Sequence, residues 1–433
     1  MLSITSFGQD WLYNFSNSTI SDGKWTFQVS NDDPYKRTLI VTKCITSSTE
    51  DLNLSNCNIT NSSGSIFYIT KWNCEIKSDV TRILMPTTIV EVTDNLINCG
   101  NLKYLYFHSD YLTEIPPYFI IAPSDNIDLN LHFPNVKTIK KYAFYNVNST
   151  NDISTIINAA VEHIGEDAFR DSTFCGNLVL TNLQDSVIYG EFGYDLNSVY
   201  IFAPNATMIS ESAFENHAQM KYIKIIAPRL QTIKNYAFFD DYSITNDISD
   251  ILNETVEYIG ENAFSGTSFC GLAYMPSIQY VGSSVFSEPY ENETGITGIV
   301  IGKNATNVNT TAFSGCKHLE MIQIDCDIDA LNKNGIIKFT NTHNITNLTL
   351  NCHAPLSSNG KSFIKIMFDK MKGVVANTYN SYIYANRRDG WLEYATPLDN
   401  KPPLSYGICI DSSGTSYKAW FIQHPYNCTI NFK

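Results

Sequence analysis

Apolar positions along the chain return in one phrase, an isoleucine or valine followed five residues later by a phenylalanine that a small residue precedes. It runs Ile139 to Ala143-Phe144, Ile164 to Ala168-Phe169, Ile209 to Ala213-Phe214 and Ile233 to Ala237-Phe238. It continues with Ile259 to Ala263-Phe264, Val281 to Val285-Phe286 and Val308 to Ala312-Phe313. Weaker copies centre on Phe119 and Phe192, so the phenylalanines recur every 22 to 27 residues from Phe119 to Phe313. A period of that length predicts a solenoid. One coil of about 24 residues holds short strands and a turn, too little to bury an apolar face alone, so each coil must stack on its neighbours. The phenylalanines then form a column, and the small residue before each leaves room for the next coil.

Between these phrases lie short runs in which apolar and polar residues alternate, the signature of a strand. They include Leu102-x-x-Leu105-x-Phe107, Met220-x-x-Ile223-x-Ile225 and Leu319-x-x-Ile322-x-Ile324. In each, the residue between the two inward positions must point outward. This places Tyr106, Asn130, Tyr200, Lys224, Val300, Gln323 and Thr349 in one row across adjacent coils, and makes them the candidate ligand-binding residues. Before the array, Trp25–Val29, Thr38–Thr42 and Ser65–Thr70 read as strands separated by turns such as Asn31-Asp-Asp-Pro34.

A complete unit, Val308-Asn-Thr-Thr-Ala-Phe-Ser-Gly-Cys-Lys-His-Leu-Glu-Met-Ile-Gln-Ile324, resembles the BspA-like leucine-rich repeats, and the resemblance covers roughly residues 85 to 350. The phrase Tyr379-Asn-Ser-Tyr-Ile-Tyr-Ala-Asn-Arg-Arg-Asp-Gly-Trp391-Leu-Glu-Tyr394 is similar to the one that closes such arrays, although the usual Val-Pro before it is missing. The expected fold is a β-rich solenoid, a right-handed leucine-rich-repeat array of about ten coils of 22–27 residues with β-rich terminal caps. Residues 1–82 form an N-terminal cap, 83–350 the solenoid, 351–397 the closing coil and C-terminal cap, with a short helix over Ser362 to Met371, and 398–433 a terminal β element. The resemblance implies an extracellular surface protein serving adhesion and contact with a host or matrix. A longer echo relates Asn151-Asp-Ile-Ser154 through Phe174-Cys175-Gly176 to Asn246-Asp-Ile-Ser249 through Phe269-Cys270-Gly271, which reads as a block duplication.

Charge narrows the partners. The 433 residues carry a formal charge of -14 with no cluster of lysine and arginine, which disfavours nucleic acid. No apolar run is long enough to cross a bilayer and no signal peptide is legible, so the chain reads as a mature ectodomain. Asn-x-Ser/Thr sequons at Asn14, Asn17, Asn53, Asn58, Asn61, Asn148, Asn205, Asn253, Asn292, Asn304, Asn309, Asn344, Asn347 and Asn427 are the candidate glycosylation sites and agree with secretion.

The eleven cysteines divide by position. Cys99, Cys175, Cys270 and Cys316 fall at or near the repeat's cysteine slot after the phenylalanine and are expected to be small buried hydrophobes. Ile322-x-Ile324-x-Cys326 and Leu348-x-Leu350-x-Cys352 set two cysteines at equivalent positions one coil apart, about 5 Å at strand spacing, which predicts a disulfide. Cys409 and Cys428 flank a hairpin through Ser412-Ser413-Gly414 and form a second predicted pair. Among Cys44, Cys57 and Cys74, one is left over.

Catalysis finds no support in the sequence. The eight histidines are scattered, and there is no His-Glu-x-x-His, no Gly-x-Ser-x-Gly elbow and no phosphate-binding Gly-Lys-Ser/Thr. The sharpest metal candidate, Cys316-x-His318 with Cys326 and Cys352-His353, lacks zinc-ligand spacing and coincides with repeat slots, so no metal and no cofactor is expected. The sequence therefore predicts a non-enzymatic, secreted or cell-surface repeat protein whose sheet binds a protein or glycan. The alternative is a structural subunit that self-assembles into an extracellular filament or coat.

Overall fold

The structure is a computed structural model. It describes residues 12–14, 19–21, 25–29, 38–44, 52–55, 58–60, 66–77, 80–121, 126–189, 192, 195–287, 295–340, 342, 345, 347–350, 357–360, 362–363, 382–384, 406–410, 416–420 and 429–432. The chain is a parallel β-solenoid of about ten turns with little helix, and it divides into two units, Met1–Asn205 and Ala206–Lys433.

Both units are built from two kinds of parallel ladder. The first consists of two-residue strands whose second residue is the isoleucine or valine of the repeat phrase. In the first unit these are Glu114–Ile115, Thr138–Ile139 and His163–Ile164. In the second they are Met208–Ile209, Thr232–Ile233, Tyr258–Ile259, Tyr280–Val281 and Asn307–Val308. The second kind of ladder uses longer strands. Leu52–Asn53, Arg82–Leu84, Tyr104–His108 and Asp128–His132 pair in parallel in the first unit, as do Cys175–Leu180 and Asp195–Phe202. In the second unit, Gly271–Met275, Ile296–Ile301, Met321–Ile324, Asn347–Leu350 and Thr429–Phe432 pair in parallel.

The phenylalanines stack as expected. In the first unit, ring centroids are 5.7 Å apart for Phe119–Phe144, 5.1 Å for Phe144–Phe169 and 5.8 Å for Phe169–Phe192. In the second, Phe214, Phe238, Phe264, Phe286 and Phe313 follow one another at 5.3, 5.1, 5.6 and 6.0 Å, with planes within 8° of parallel. That column runs on to Phe339, 5.4 Å from Phe313, and to Phe363, 6.5 Å further. Five residues before them stand Asn334 and Ser358 where the phrase has isoleucine or valine, so neither carries the repeat phrase. The duplicated block packs alike in both units: Phe174 lies edge-on to Phe144 and Phe169, and Phe269 edge-on to Phe238 and Phe264.

The turn after most of the described phenylalanines takes a left-handed residue two positions on, where the backbone N–H reaches toward the next coil. Asn146, Asn216 and Asp240 have φ near 60°, and they donate to the carbonyls of Arg170, Phe239 and Ser265 at 2.7, 2.8 and 2.9 Å. Asparagine and aspartate tolerate that conformation at little cost.

Parallel pairing reaches back before the expected start of the array. Ile76–Lys77 pairs with Ile97–Asn98, and Leu52–Asn53 with Ile83–Leu84, so coil-type ladders begin inside the segment expected as a cap. Ahead of them, the predicted strands at Trp25–Val29, Thr38–Cys44 and Ile66–Trp72 are present. The first two pair antiparallel, the last two pair parallel, and Lys71-Trp72 joins Glu91–Val92 in parallel. At the other end, Tyr406–Ile410 and Ser416–Trp420 form the antiparallel arms of the expected hairpin. Residues 358–360 and 362–363 are helical; the rest of the predicted Ser362 to Met371 helix lies outside the described residues.

Candidate functional site

The outward row exists in segments, not as the single row expected. In the first unit Leu84, Tyr106 and Asn130 are register partners on neighbouring strands, and Val179 is the partner of Tyr200. In the second, Lys224 lies on Tyr222–Ile226, and Tyr274, Val300, Gln323 and Thr349 follow one another in register. The interruptions have a local cause. Where the strand of one coil should lie, the duplicated Asn-Asp-Ile-Ser folds into a 3-10 helix, Ile153–Thr155 in one unit and Ile248–Asp250 in the other. Asp152 and Asp247 cap them by accepting from Ser154 N and Ser249 N, both at 2.9 Å. The preceding asparagine stands in for the missing strand. Asn151 Oδ1 accepts from Leu129 N at 2.7 Å, and the Asn246 side chain accepts from Ile223 N and donates to Ile223 O. Gly176 and Gly271, with φ of 89° and 87°, leave space that the capping carboxylates fill.

Within the segments, exposure differs from residue to residue. Asn130 is exposed, and Tyr106, Tyr200, Lys224 and Gln323 are half-buried. Val300 departs from expectation, since it keeps the row's register but is only 5% exposed. Its short side chain sits between the longer Tyr274 and Gln323 of the adjoining strands. Two exposed members escaped the sequence pattern, Val179 at 46% and Tyr274 at 42%. Their strands carry the alternation but not the full leucine phrase, and the alternation alone could have found them. Lys224 is tied to Asp250 at 2.8 Å and Gln323 to Asp325 at 2.9 Å, so these two present paired groups. Thr349 lies on the strand Asn347–Leu350.

The first unit's segment is the richest in aromatic and polar groups. Tyr106 stacks on His108 with centroids 4.1 Å apart, Arg82 lies 4.9 Å over Tyr104, and His108 Nε2 is 2.6 Å from Asn130 Oδ1. The turn side of the same unit is charge-balanced. Lys137–Glu162 at 2.7 Å, Lys140–Glu114 at 2.6 Å and Lys141–Glu166 at 2.5 Å each link neighbouring coils. Exposed pairs of this kind add little stability.

Three residues after the phenylalanine, the described coils bury Val147, Ser172, His217, Asp241, Thr267, Cys316 and Thr342, whereas Asp195, after Phe192, is exposed. Thr267 Oγ1 donates to Phe264 O at 2.7 Å, Thr342 Oγ1 to Cys316 O at 3.1 Å, and Cys316 Sγ to Phe286 O at 3.3 Å. Asp241 differs in being an acid. Its Oδ1 accepts from His217 N at 2.7 Å, while Oδ2 is buried without a hydrogen bond. Burial pushes its carboxyl well above the ordinary carboxylate range; the His217 N–H bond opposes the shift, and the charges of Asp240 and Glu215 add to it.

Cys99 and Cys316 are buried, as expected. Cys175 and Cys270 are half-exposed instead, because they lie one step after the buried Phe174 and Phe269 and bridge to Asp152 and Asp247. Cys326 is buried, and that burial pushes its thiol up to about 12. The backbone register from Met321↔Asn347 to Ile324↔Leu350 keeps the equivalence on which its predicted bridge rests. Cys352 and Cys428 lie outside the described residues, as do Cys57 and the side chains of Cys44 and Cys409.

Of the sequon asparagines, Asn53, Asn148, Asn205, Asn304 and Asn309 are exposed. Asn253 is structural: its Nδ2 donates to Ala227 O at 2.8 Å and its Oδ1 accepts from Thr255 N at 3.0 Å. Asn158, which is no sequon, repeats these bonds with Phe133 O and Ala160 N. Asn14, Asn58 and Asn347 lie on strands whose side chains are not described; Asn17, Asn61, Asn292, Asn344 and Asn427 lie outside the described residues. Among the described residues no group of three His, Cys, Asp or Glu side chains is arranged to hold a metal, and no helix is long and apolar enough to cross a membrane.

No curated protein matches the chain in sequence. Among solved structures, it is similar to a leucine-rich repeat protein from Bacteroides ovatus, at 14% identity over 86% of this chain and 95% of that one, with a TM-score of 0.41. A leucine-rich repeat protein from Eubacterium ventriosum matches at 13% over 74% and 90%, with a TM-score of 0.34. The pneumococcal vaccine antigen PcpA matches at 13% over 71% and 94%, with a TM-score of 0.30. Likeness this low adds nothing to what the repeat itself shows. The model of the BspA type leucine rich repeat region matches in six copies over residues 118–245, 192–291 and 231–364, more than half of the sequence, and the chain belongs to that family.

Proposed function

We propose that this chain is a non-enzymatic recognition protein of the cell surface or extracellular space, binding a protein or a glycan through the outward residues of its longer strands. One observation carries the reading. Inward positions repeat the same aliphatic and aromatic types at essentially no exposure, as at Leu105, Leu129, Ile299 and Ile322. Between them, the outward positions change from coil to coil: Leu84, Tyr106 and Asn130 in one segment, Tyr274, Val300 and Gln323 in another. A scaffold that holds its core fixed and varies its face suits recognition. Tyrosine and uncharged amides on that face suit a partner bound by stacking and hydrogen bonds. The bridges Cys326 to Cys352 and Cys409 to Cys428, and sugars on the exposed sequons, belong to the same reading.

Arrays of extracellular proteins and glycans test it. The reading expects a ligand whose binding falls about tenfold or more, the range of an interface hot spot, in Tyr106→Ala/Asn130→Ala or in Tyr274→Ala/Gln323→Ala. A ligand bound equally by both double variants, or turnover of a small substrate with no macromolecular ligand, would contradict it.

A further inference from the structure

Two histidines meet on the outward face of the first unit. His108 and His132 are register partners at the ends of adjacent parallel strands, with ring centroids 5.5 Å apart. The fold does not ask for imidazole there. The residue at the same step in other coils is Thr181 or Phe202 in this unit and Ile226, Pro276 or Asp325 in the other. We propose that His108 and His132, with Asn130 Oδ1 as a third donor, form a surface site for a divalent late transition metal ion such as Zn2+.

Distance carries the proposal. A metal ligated at about 2.0–2.1 Å by an imidazole nitrogen lies about 3.2 Å from the ring centroid, so two imidazoles on one tetrahedral ion have centroids about 5.2 Å apart. The observed 5.5 Å is close to that separation. Asn130 lies on the same strand as His132, and its Oδ1 is already 2.6 Å from His108 Nε2, so a metal would replace this hydrogen bond without a large movement. Tyr106, stacked on His108 at 4.1 Å, limits the ring's freedom and lowers the entropy lost on binding. Two imidazoles and an amide oxygen suit zinc, nickel or copper better than calcium or magnesium. His132 is exposed and His108 half-buried, so water or a group from a partner can complete the coordination. The site stands independently of the recognition reading.

The test is calorimetric titration of ZnCl2 into the full chain at pH 7.5, without an affinity tag and with accessible thiols alkylated. One ion per chain is expected, with affinity reduced at least about tenfold in His108→Ala and in His132→Ala and less in Asn130→Ala. Binding should also weaken on acidification, because protons compete with the metal for the ligand nitrogens. In the unmodified protein, bound Zn2+ should protect His108 and His132 from diethyl pyrocarbonate, a readout that needs no variant. Absence of saturable Zn2+ uptake, uptake unchanged in either histidine variant, or protection of other histidines instead would overturn the proposal.

Discussion

At the scale of single residues, the repeat separates the positions that hold the fold from those left free. Inward aliphatics and phenylalanines have almost no exposure; left-handed positions two residues after the phenylalanine take asparagine, aspartate or glycine, while those just before it also take tyrosine or serine, as at Tyr142, Tyr236, Ser212 and Ser284. The slot three residues after the phenylalanine takes a hydroxyl or a thiol at Ser172, Thr267, Cys316 and Thr342, but His217 and Asp241 in two adjacent coils. Asp241 has its pKa raised by burial, so it favours the folded state when protonated and opposes it when ionised. Its contribution is fully present below the unfolded carboxylate value, about pH 3.9, and is lost as pH rises through the higher folded value. Asp241→Asn keeps an acceptor for His217 N–H and removes the charge. The variant should therefore gain melting temperature over the natural protein as pH rises from 4 to 7. A difference constant across that range would show that the carboxyl is not held protonated by the fold.

At the scale of elements, close approach between coils sets the chemistry of the short strands. A Cβ on Gly260 would lie 2.5 Å from Asn235 N, and one on Gly282 the same distance from Glu261 N, so the residue after the inward isoleucine or valine must often be glycine. Gly260→Ala should cost about 1–3 kcal/mol, the usual range for overpacking. Gly100→Ala, where nothing lies within 4 Å, should stay within about 0.5 kcal/mol. Denaturant unfolding of the two variants checks this, and equal midpoints would count against the tight stacking. The short strands were readable from the sequence because their isoleucine keeps a fixed offset from the phenylalanine. The broken outward row was not. Asn151-Asp-Ile-Ser154 and its copy looked like ancestry alone, because side-chain capping by Asp152 and substitution of a strand by Asn151 depend on neighbours that periodicity does not encode. The half-exposed Cys175 and Cys270 follow from the same detour. The His108–His132 pair was missed for a related reason: the two residues are far apart in sequence, and only the ladder register brings them together.

At the scale of the molecule, each unit is organised around its own phenylalanine column, which spacing alone revealed as far as Phe313. Phe339 and Phe363 extend the second column without the isoleucine or valine five residues before that marks the phrase, so the stack tolerates its loss as long as the period is kept. The central claim is that inward positions hold these units together while the outward row is free to serve recognition. Thermal melting of Phe238→Ala against the combined variant Tyr106→Ala/Asn130→Ala/Tyr200→Ala/Gln323→Ala tests it most directly. Phe238 is stacked on Phe214 and Phe264 and edge-on to Phe269. Its loss should cost about 3–5 kcal/mol and lower the midpoint by roughly 10 °C. The combined variant should melt within a few degrees of the natural protein, at about 0.5 kcal/mol or less per site. If the outward variant melts as low as Phe238→Ala, those residues belong to the fold and the division between core and recognition face is wrong.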